Sequence, residues 1–449
     1  MTSALPISPP VSGRSGDRHG SPTVLLLSPS GWGNLGDAAI IDSTIHAIRS
    51  RWPDARIVGV TLSPADTEAR HGIEGFLLAG RSLSGYGMIG RPERGEHPMD
   101  TDLPGMTRLS RLPFLARPAR AVNDTLLTFL AEPAHSRLAA RLVAESDLVV
   151  AAGGGQLDEF WGGPWGHPFA LYKWGRIARR AGVPFALLSV GMCELETWLA
   201  RRFIRGALDV ASYTSFRDRV SGRRAETLGL GREARVVPDL AYGVTLPGMP
   251  TPVGASRRRK VGVSPIAYRD PRSWPGGDAA FFREYLAMLV GFIRELLADR
   301  CEVSLFATDW CDWAVVEDVR AALTPDEQGA VTVADTRTVP DLLRHVDNLD
   351  LVVASRLHGL LLAQRAGRPT IALSYDRKVD TLMSEMGFSH FCLSLDNGSL
   401  DQLRAAYRAI TPELTLVQLQ VQRRVQEYGD RVAAQFEEIL GADGLLARR

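Results

Sequence analysis

A chain of 449 residues with 45% apolar and 23% charged side chains exceeds one ordinary core, so two soluble globular domains are expected. A net charge of +1 supplies no global field, which argues against nucleic acid or an acidic membrane surface as partner. Four scattered cysteines (Cys193, Cys301, Cys311, Cys392) make neither a C-x-x-C pair nor a disulfide framework, so a reduced, cytoplasmic chain without a zinc site is expected.

Residues 1–20 are rich in Ser, Pro, Gly and Arg and lack the apolar stretch of a signal peptide, so they read as a disordered tail. No apolar run reaches the ~18 residues of a membrane span. Strand and helix patterns then alternate, the pattern of an α/β fold with parallel sheets. Thr23–Leu27 reads as a strand, Asp37–Arg51 as a helix and Ala55–Leu62 as a second strand. Residues 80–118 lose periodicity and predict an insertion or lid, and 119–144 regain helical spacing. Strands are expected at Asp147–Ala152, Pro184–Val190 and Tyr213–Phe216, with helices at Phe169–Arg180 and Trp198–Asp209. These place a first domain at 21–245. Residues 246–256, rich in Pro and Gly, read as a linker.

A second domain at 257–410 starts with a strand at Lys260–Ser264. A helix near 279–299, a strand at Cys301–Ala307, a helix near 312–323 and a strand at 331–334 follow. Then Val352 to Lys378 reads as a buried strand, a polar turn, a helix and a second strand ending in charge. A long helix, about 412–440, occupies the last segment (411–449) and is expected to pack back across the first domain.

Ligands of open parallel sheets bind beyond the carboxyl ends of the strands. Four clusters stand there. In S-P-S-G-W-G-N-L-G-D-A-A-I, Asp37 reads either as a helix cap or, with Asn34, as a group for a sugar or for acid/base work. In A-A-G-G-G-Q-L-D-E-F-W, three glycines allow a tight turn beneath a ligand. Asp158, Glu159, Trp161, Trp165 and His167 follow them. Aromatic faces with carboxylates suit a carbohydrate, and simple packing of the loop is the alternative. In S-F-R-D-R-V-S, Arg217 follows a strand directly, where a local salt bridge with Asp218 competes with a ligand role. In S-R-L-H-G, the helix start offers free N–H groups, Arg356 a planar fork and His358 a proton donor. Lys378 adds a point charge; only Lys173 and Lys260 are lysine besides. Together these describe a pocket for a small multiply charged anion.

Six pieces together resemble the polysaccharide pyruvyl transferase family. They are G-N-L-G-D (33–37), A-G-G-G (152–155), S-F-R-D-R-V-S (215–221), V-P-D-L-A (237–241), S-R-L-H-G (355–359) and G-R-P-T-I-A-L-S-Y-D-R-K (367–378). The resemblance implies two Rossmann-like domains facing a cleft, similar to B-type glycosyltransferases. It implies transfer of a pyruvyl group from phosphoenolpyruvate to two hydroxyls of a sugar or polysaccharide precursor, giving a cyclic ketal and phosphate. No cofactor or metal is called for. Arg217, Arg356 and His358 are then the donor-site residues, with Ser355, Gly359 and Lys378 beside them. His358 acts as general acid, assisted by Arg356 and Arg217, with Asp37 as base. The acceptor lies against Asn34, Asp37, Gly154, Gln156 and Asp158. A homodimer is the general expectation for soluble enzymes of this kind.

The chain departs from the family pattern at P-W-G-H (164–167) and at S-V-G-M-C-E-L-E (189–196), where Glu194 and Glu196 replace a glycine-rich turn. Two other functions fit the same clusters: a glycosyltransferase using a nucleotide sugar, and a non-catalytic sugar- or anion-binding relative.

Overall fold

The computed structural model describes residues 21–31, 33–80, 130, 132–160, 162–254, 258–274 and 276–446. The expected tail at 1–20 and the expected insertion from residue 81 onward lie outside the described residues, while 132–144 are helical.

Two six-stranded sheets organise the chain. The first contains β1 (Thr23–Leu27), β2 (Arg56–Thr61), β3 (Glu74–Leu77), β4 (Leu148–Ala152), β5 (Phe185–Val190) and β6 (Tyr213–Phe216), in the order β3-β2-β1-β4-β5-β6. The second contains β7 (Lys260–Ser264), β8 (Glu302–Leu305), β9 (Val331–Val333), β10 (Leu351–Ala354), β11 (Thr370–Ser374) and β12 (Cys392–Ser394), in the order β12-β11-β10-β7-β8-β9. Every strand pair is parallel; Val24 lies opposite both Ile57 and Leu148, and Val352 opposite both Gly262 and Thr370. Helices cover both faces. That is why β4 and β10 are apolar and buried along their whole length rather than alternating.

Each sheet reverses its direction of winding once, between β1 and β4 and between β7 and β10. Such switch points leave a crevice beyond the carboxyl ends of the strands. The loops after β1, β4 and β10 therefore converge on one place, and those loops carry three of the four clusters singled out above; the fourth follows β6.

The first helix runs from Leu35 to Arg51, two residues earlier than its sequence suggests. Asn34 is its cap: its side-chain oxygen accepts from Gly36 N at 2.9 Å and Asp37 N at 3.2 Å. The reading of Asp37 as cap is thereby corrected, because Asn34 already satisfies the free amides. The short strands β3 and β12, at the outer edges of the sheets, had no sequence counterpart.

The last helix, Leu414–Leu440, buries Val417, Val421, Val425, Tyr428, Val432, Phe436 and Ile439, a stripe at helical spacing. It touches both sheets' domains. Gln435 joins Ser189 and Ser215 of the first, and Tyr428 donates to Glu385 O of the second at 3.2 Å. Among the described residues no helix is long and apolar enough to cross a membrane.

One buried cation fastens the connecting segment to the second domain. Arg368, 1% exposed, donates to Ala366 O at 2.9 Å, Leu349 O at 3.0 Å and Thr251 O. Asp347 lies 3.3 Å from its guanidinium. Removing one side of a buried ionic network leaves the rest unpaired. Arg368→Ala is expected to cost roughly 3 kcal/mol of stability. A urea midpoint indistinguishable from that of the parent chain would show that this tie contributes nothing.

Candidate active site

The site begins with a glycine that must be a glycine. Gly36 stands in the first turn of Leu35–Arg51, and the imidazole of His358, from the other domain, rests on its backbone. A Cβ on Gly36 would lie 1.9 Å from Nδ1 and 2.1 Å from Cγ of that ring. Two hydrogen bonds fix the approach. Asn34 Nδ2 donates to Asp309 at 3.0 Å, and Leu35 N donates to Thr308 O at 3.0 Å. The helix that offers Asp37 is therefore locked to the loop after β8.

His358 follows β10 at the start of the helix Leu357–Arg365. Its Nε2 is 3.6 Å from Asp239 Oδ2, and Arg217 Nη1 is 3.8 Å from the same oxygen. Neither Asp239 Oδ2 nor His358 Nε2 makes a hydrogen bond. The other oxygen of Asp239 accepts from Ala241 N at 3.0 Å, which holds the carboxylate in place. Burial would raise this group, but His358, Arg217 and the Ala241 amide keep it below the usual carboxylate range. Asp239 thus stays ionised between a histidine and an arginine.

Arg217 leaves β6 and lies flat on Gly191, where a Cβ would meet its Cζ at 2.8 Å. Its Nε is 3.4 Å from Asp218, so the local salt bridge forms and leaves most of the fork facing Asp239. Asp37 is close by: a Cβ on Gly154 would be 3.5 Å from its Oδ1. Burial, with Asp309 and Asp239 near, pushes the Asp37 carboxyl up to about 6 against the pull of His358 and Arg217. Asp158 accepts from Phe160 N at 3.1 Å. Burial pushes it up to about 7 against that bond and the charges of Lys378 and Arg217.

The remaining candidates divide. Arg356 commits three of its five N–H groups: two to Asp312 at 2.7 and 2.9 Å and one to Cys311 Sγ at 2.9 Å. Its Nη1, 3.5 Å from Asp309, keeps the only N–H groups without a hydrogen-bonded partner. Ser355 is fully buried, 3.4 Å from the Tyr285 hydroxyl. Gly359 packs close to Thr308. Lys378 lies 3.6 Å from Asp376 and over the Tyr375 ring, and its charge acts on Asp158. Gln156 is fully buried, and its amide donates to Leu27 O at 3.3 Å and Ala152 O at 2.9 Å, bracing the glycine loop from beneath. Trp165 packs edge-on against Phe169 and Phe203 at 5.3 and 5.4 Å. His167 is fully buried, and burial pushes its ring down to about 3. The P-W-G-H segment therefore belongs to the packing of the first domain. Trp161 lies outside the described residues.

Asp239, Asp309 and Asp312 were given no role in the sequence reading. Each follows a strand or bridge end, as the switch-point rule demands, and V-P-D-L-A already contained the first of them.

Two parallel α/β domains with one site built from the loops of both define a B-type glycosyltransferase architecture. Solved structures agree. A putative UDP-N-acetylglucosamine 2-epimerase from Listeria monocytogenes matches at TM-score 0.54 and 10% identity, over 94% of this chain and 96% of that one. The UDP-GlcNAc 2-epimerase from Neisseria meningitidis bound to UDP-GlcNAc matches at 0.51 and 7%, over 95% and 100%. The UDP-GlcNAc 2-epimerase from Methanocaldococcus jannaschii matches at 0.50 and 11%, over 86% and 91%. At such identities the likeness is one of fold. No curated protein matched. Residues 34–377 match the family described as Polysaccharide pyruvyl transferase, and the chain belongs to that family of transferases.

Gly36→Ala is expected to expel His358 and abolish turnover. The same change in a His358→Ala background should cost far less stability, because the colliding ring is gone. Equal costs in the two backgrounds, measured by thermal melting, would show that the ring does not rest there. The acid–base balance gives a second expectation. A carboxyl with a folded value of about 6 and an ordinary value of 3.8 favours the folded state only while protonated. Its stabilising share is full below 3.8 and is lost as pH rises through about 6, a swing of roughly 3 kcal/mol. Asp37→Asn should therefore raise the melting temperature at pH 8 while changing it little at pH 4. Equal shifts at both pH values would contradict the buried charge.

Proposed function

We propose that this chain moves a pyruvyl group from phosphoenolpyruvate to two hydroxyls of a sugar or polysaccharide precursor, forming a cyclic ketal and releasing phosphate. The observation that carries the reading is the meeting of His358 from one domain with Asp37 and Arg217 from the other, around the buried carboxylate of Asp239. Phosphoenolpyruvate bears a carboxylate and a phosphate on one short frame. Arg217, Arg356 Nη1 beside Asp309, and the Lys378 ammonium beside Asp376 are the cations that such a donor would meet.

The reaction needs a proton on the methylene carbon, which leaves a cationic centre at C2. His358 donates it. One acceptor hydroxyl adds to C2 and gives its proton to Asp37, whose value of about 6 leaves it ionised at neutral pH and still able to hold a proton. The second hydroxyl then displaces phosphate and closes the ketal, and its proton leaves with the phosphate. Two hydroxyl protons are lost and one appears on the new methyl group. The fixed cations lower the barrier only so far as they match the departing phosphate better than the bound donor.

His358→Ala should reduce turnover about a hundredfold or more. Phosphoenolpyruvate should still raise its melting temperature. Arg217→Ala should lose that stabilisation, by up to about 2.7 kcal/mol at 100 times the dissociation constant. Thermal melting with phosphoenolpyruvate beside nucleotide sugars decides between this reading and glycosyl transfer. Stabilisation by a nucleotide sugar alone would overturn it, as would the absence of phosphate release with every sugar tried.

A further inference from the structure

We infer that Trp198, with the carboxylates Glu194 and Glu196, forms a subsite that stacks a neutral saccharide ring beyond the residue being ketalised. The inference rests on the pyruvyl-transfer reading for the role of that saccharide as acceptor.

Trp198 is 73% exposed, while Trp165, Phe169 and Phe203 nearby pack against one another. An isolated exposed leucine needs no account, but a tryptophan held in solvent does. Here the backbone beneath it is unusually constrained. Leu157 bridges Met192, with Leu157 N on Gly191 O at 3.0 Å and Cys193 N on Leu157 O at 3.1 Å. Met192 N donates to Ser221 Oγ at 2.9 Å, and Arg224 donates to Met192 O at 2.7 Å. Glu159 accepts from Glu196 N at 2.6 Å and Thr197 N at 3.1 Å. Thr197 caps the helix Trp198–Val210 through Ala200 N, and Arg201 Nε donates to Leu195 O at 2.9 Å. A loop with this many ties has the means to bury a tryptophan. It presents one instead.

The place is also specific. The loop follows β5 at the carboxyl end of the sheet; its Cys193 lies in the field of Asp158, Lys378 and Arg217, and the residue before Glu159 is Asp158. The exposed side chains along it are Cys193, Glu194, Glu196 and Trp198. An indole face suits the C–H face of a pyranose, and carboxylate oxygens accept from its hydroxyls. Glu194 and Glu196 are exposed, whereas the cations of the same loop, Arg201 and Arg224, bond the backbone carbonyls of Leu195 and Met192, so an uncharged ring is favoured over a phosphate or a uronic acid.

The test uses the full chain labelled with 5-fluorotryptophan. The chain contains nine tryptophans, and the resonance missing from Trp198→Ala identifies Trp198. Glucose, galactose and mannose trisaccharides should shift that resonance, and uronic acid trisaccharides should not. Affinity for the neutral trisaccharides should fall about tenfold in Trp198→Ala and be largely kept in Trp198→Phe. A resonance unmoved by the neutral set, a preference for the anionic set, or equal affinity in the alanine variant would each overturn the inference. Phosphate release from phosphoenolpyruvate is read on the same samples. Its absence with sugar binding intact would count against pyruvyl transfer and leave the subsite standing.

Discussion

The site exists only because an imidazole from one domain lies on the bare backbone of a helix in the other. His358 needs the space that Gly36 leaves, at a distance no side chain could share. Everything else in the cleft follows from that contact. It sets His358 beside Asp239 and brings Asp37 under the same electrostatic influence. Asn34 reinforces it with a double role: its oxygen caps the helix and its amide reaches Asp309. The cap and the domain junction are one residue. A substitution chosen to weaken either would weaken both.

Charge is arranged around this contact in two tiers. Arg356 is held by Asp312, which is fully buried, so it serves as a pillar with only Nη1 free. Arg217 has weaker restraints, at 3.4 and 3.8 Å, and can turn toward an anion at small cost. Both side chains are largely buried, Arg217 13% and Arg356 19% exposed, so the difference is one of bonding. An arginine already bonded to a buried carboxylate gains little from a ligand, while one held at longer distances gains more. By that measure Arg217, and not Arg356, is the freer of the two.

Much of the architecture was legible because parallel sheets write long apolar runs. β1, β6 and β7 coincide with runs read from sequence, since strands buried on both faces cannot alternate. β3 and β12 escaped because they are short edge strands whose partly exposed residues lack such a run. Asp37 was read as a cap or a functional group, and the choice needed the position of Asn34 one turn away. The family resemblance put Gln156 at the acceptor. Its burial beneath the glycine loop depends on the carbonyl of Leu27, which is distant in sequence. The aromatic loop stayed open between a carbohydrate and simple packing for the same reason. Trp165 meets Phe203 across a helix pair that no local pattern announces.

Trp198 shows the converse. It opens a helix that buries Ala200, Phe203, Ile204 and Ala207 on one face. What leaves Trp198 outside is the clasp from Glu159, which fixes the two residues before the helix and so fixes its phase. Rotating the helix to bury the indole would break both bonds and withdraw Phe203 from its aromatic partners. The exposure is therefore a consequence of the same carboxylate that ties the glycine loop to its neighbour. A single acidic side chain beside Asp158 thus links the geometry of the reacting end of the cleft to that of its outer rim.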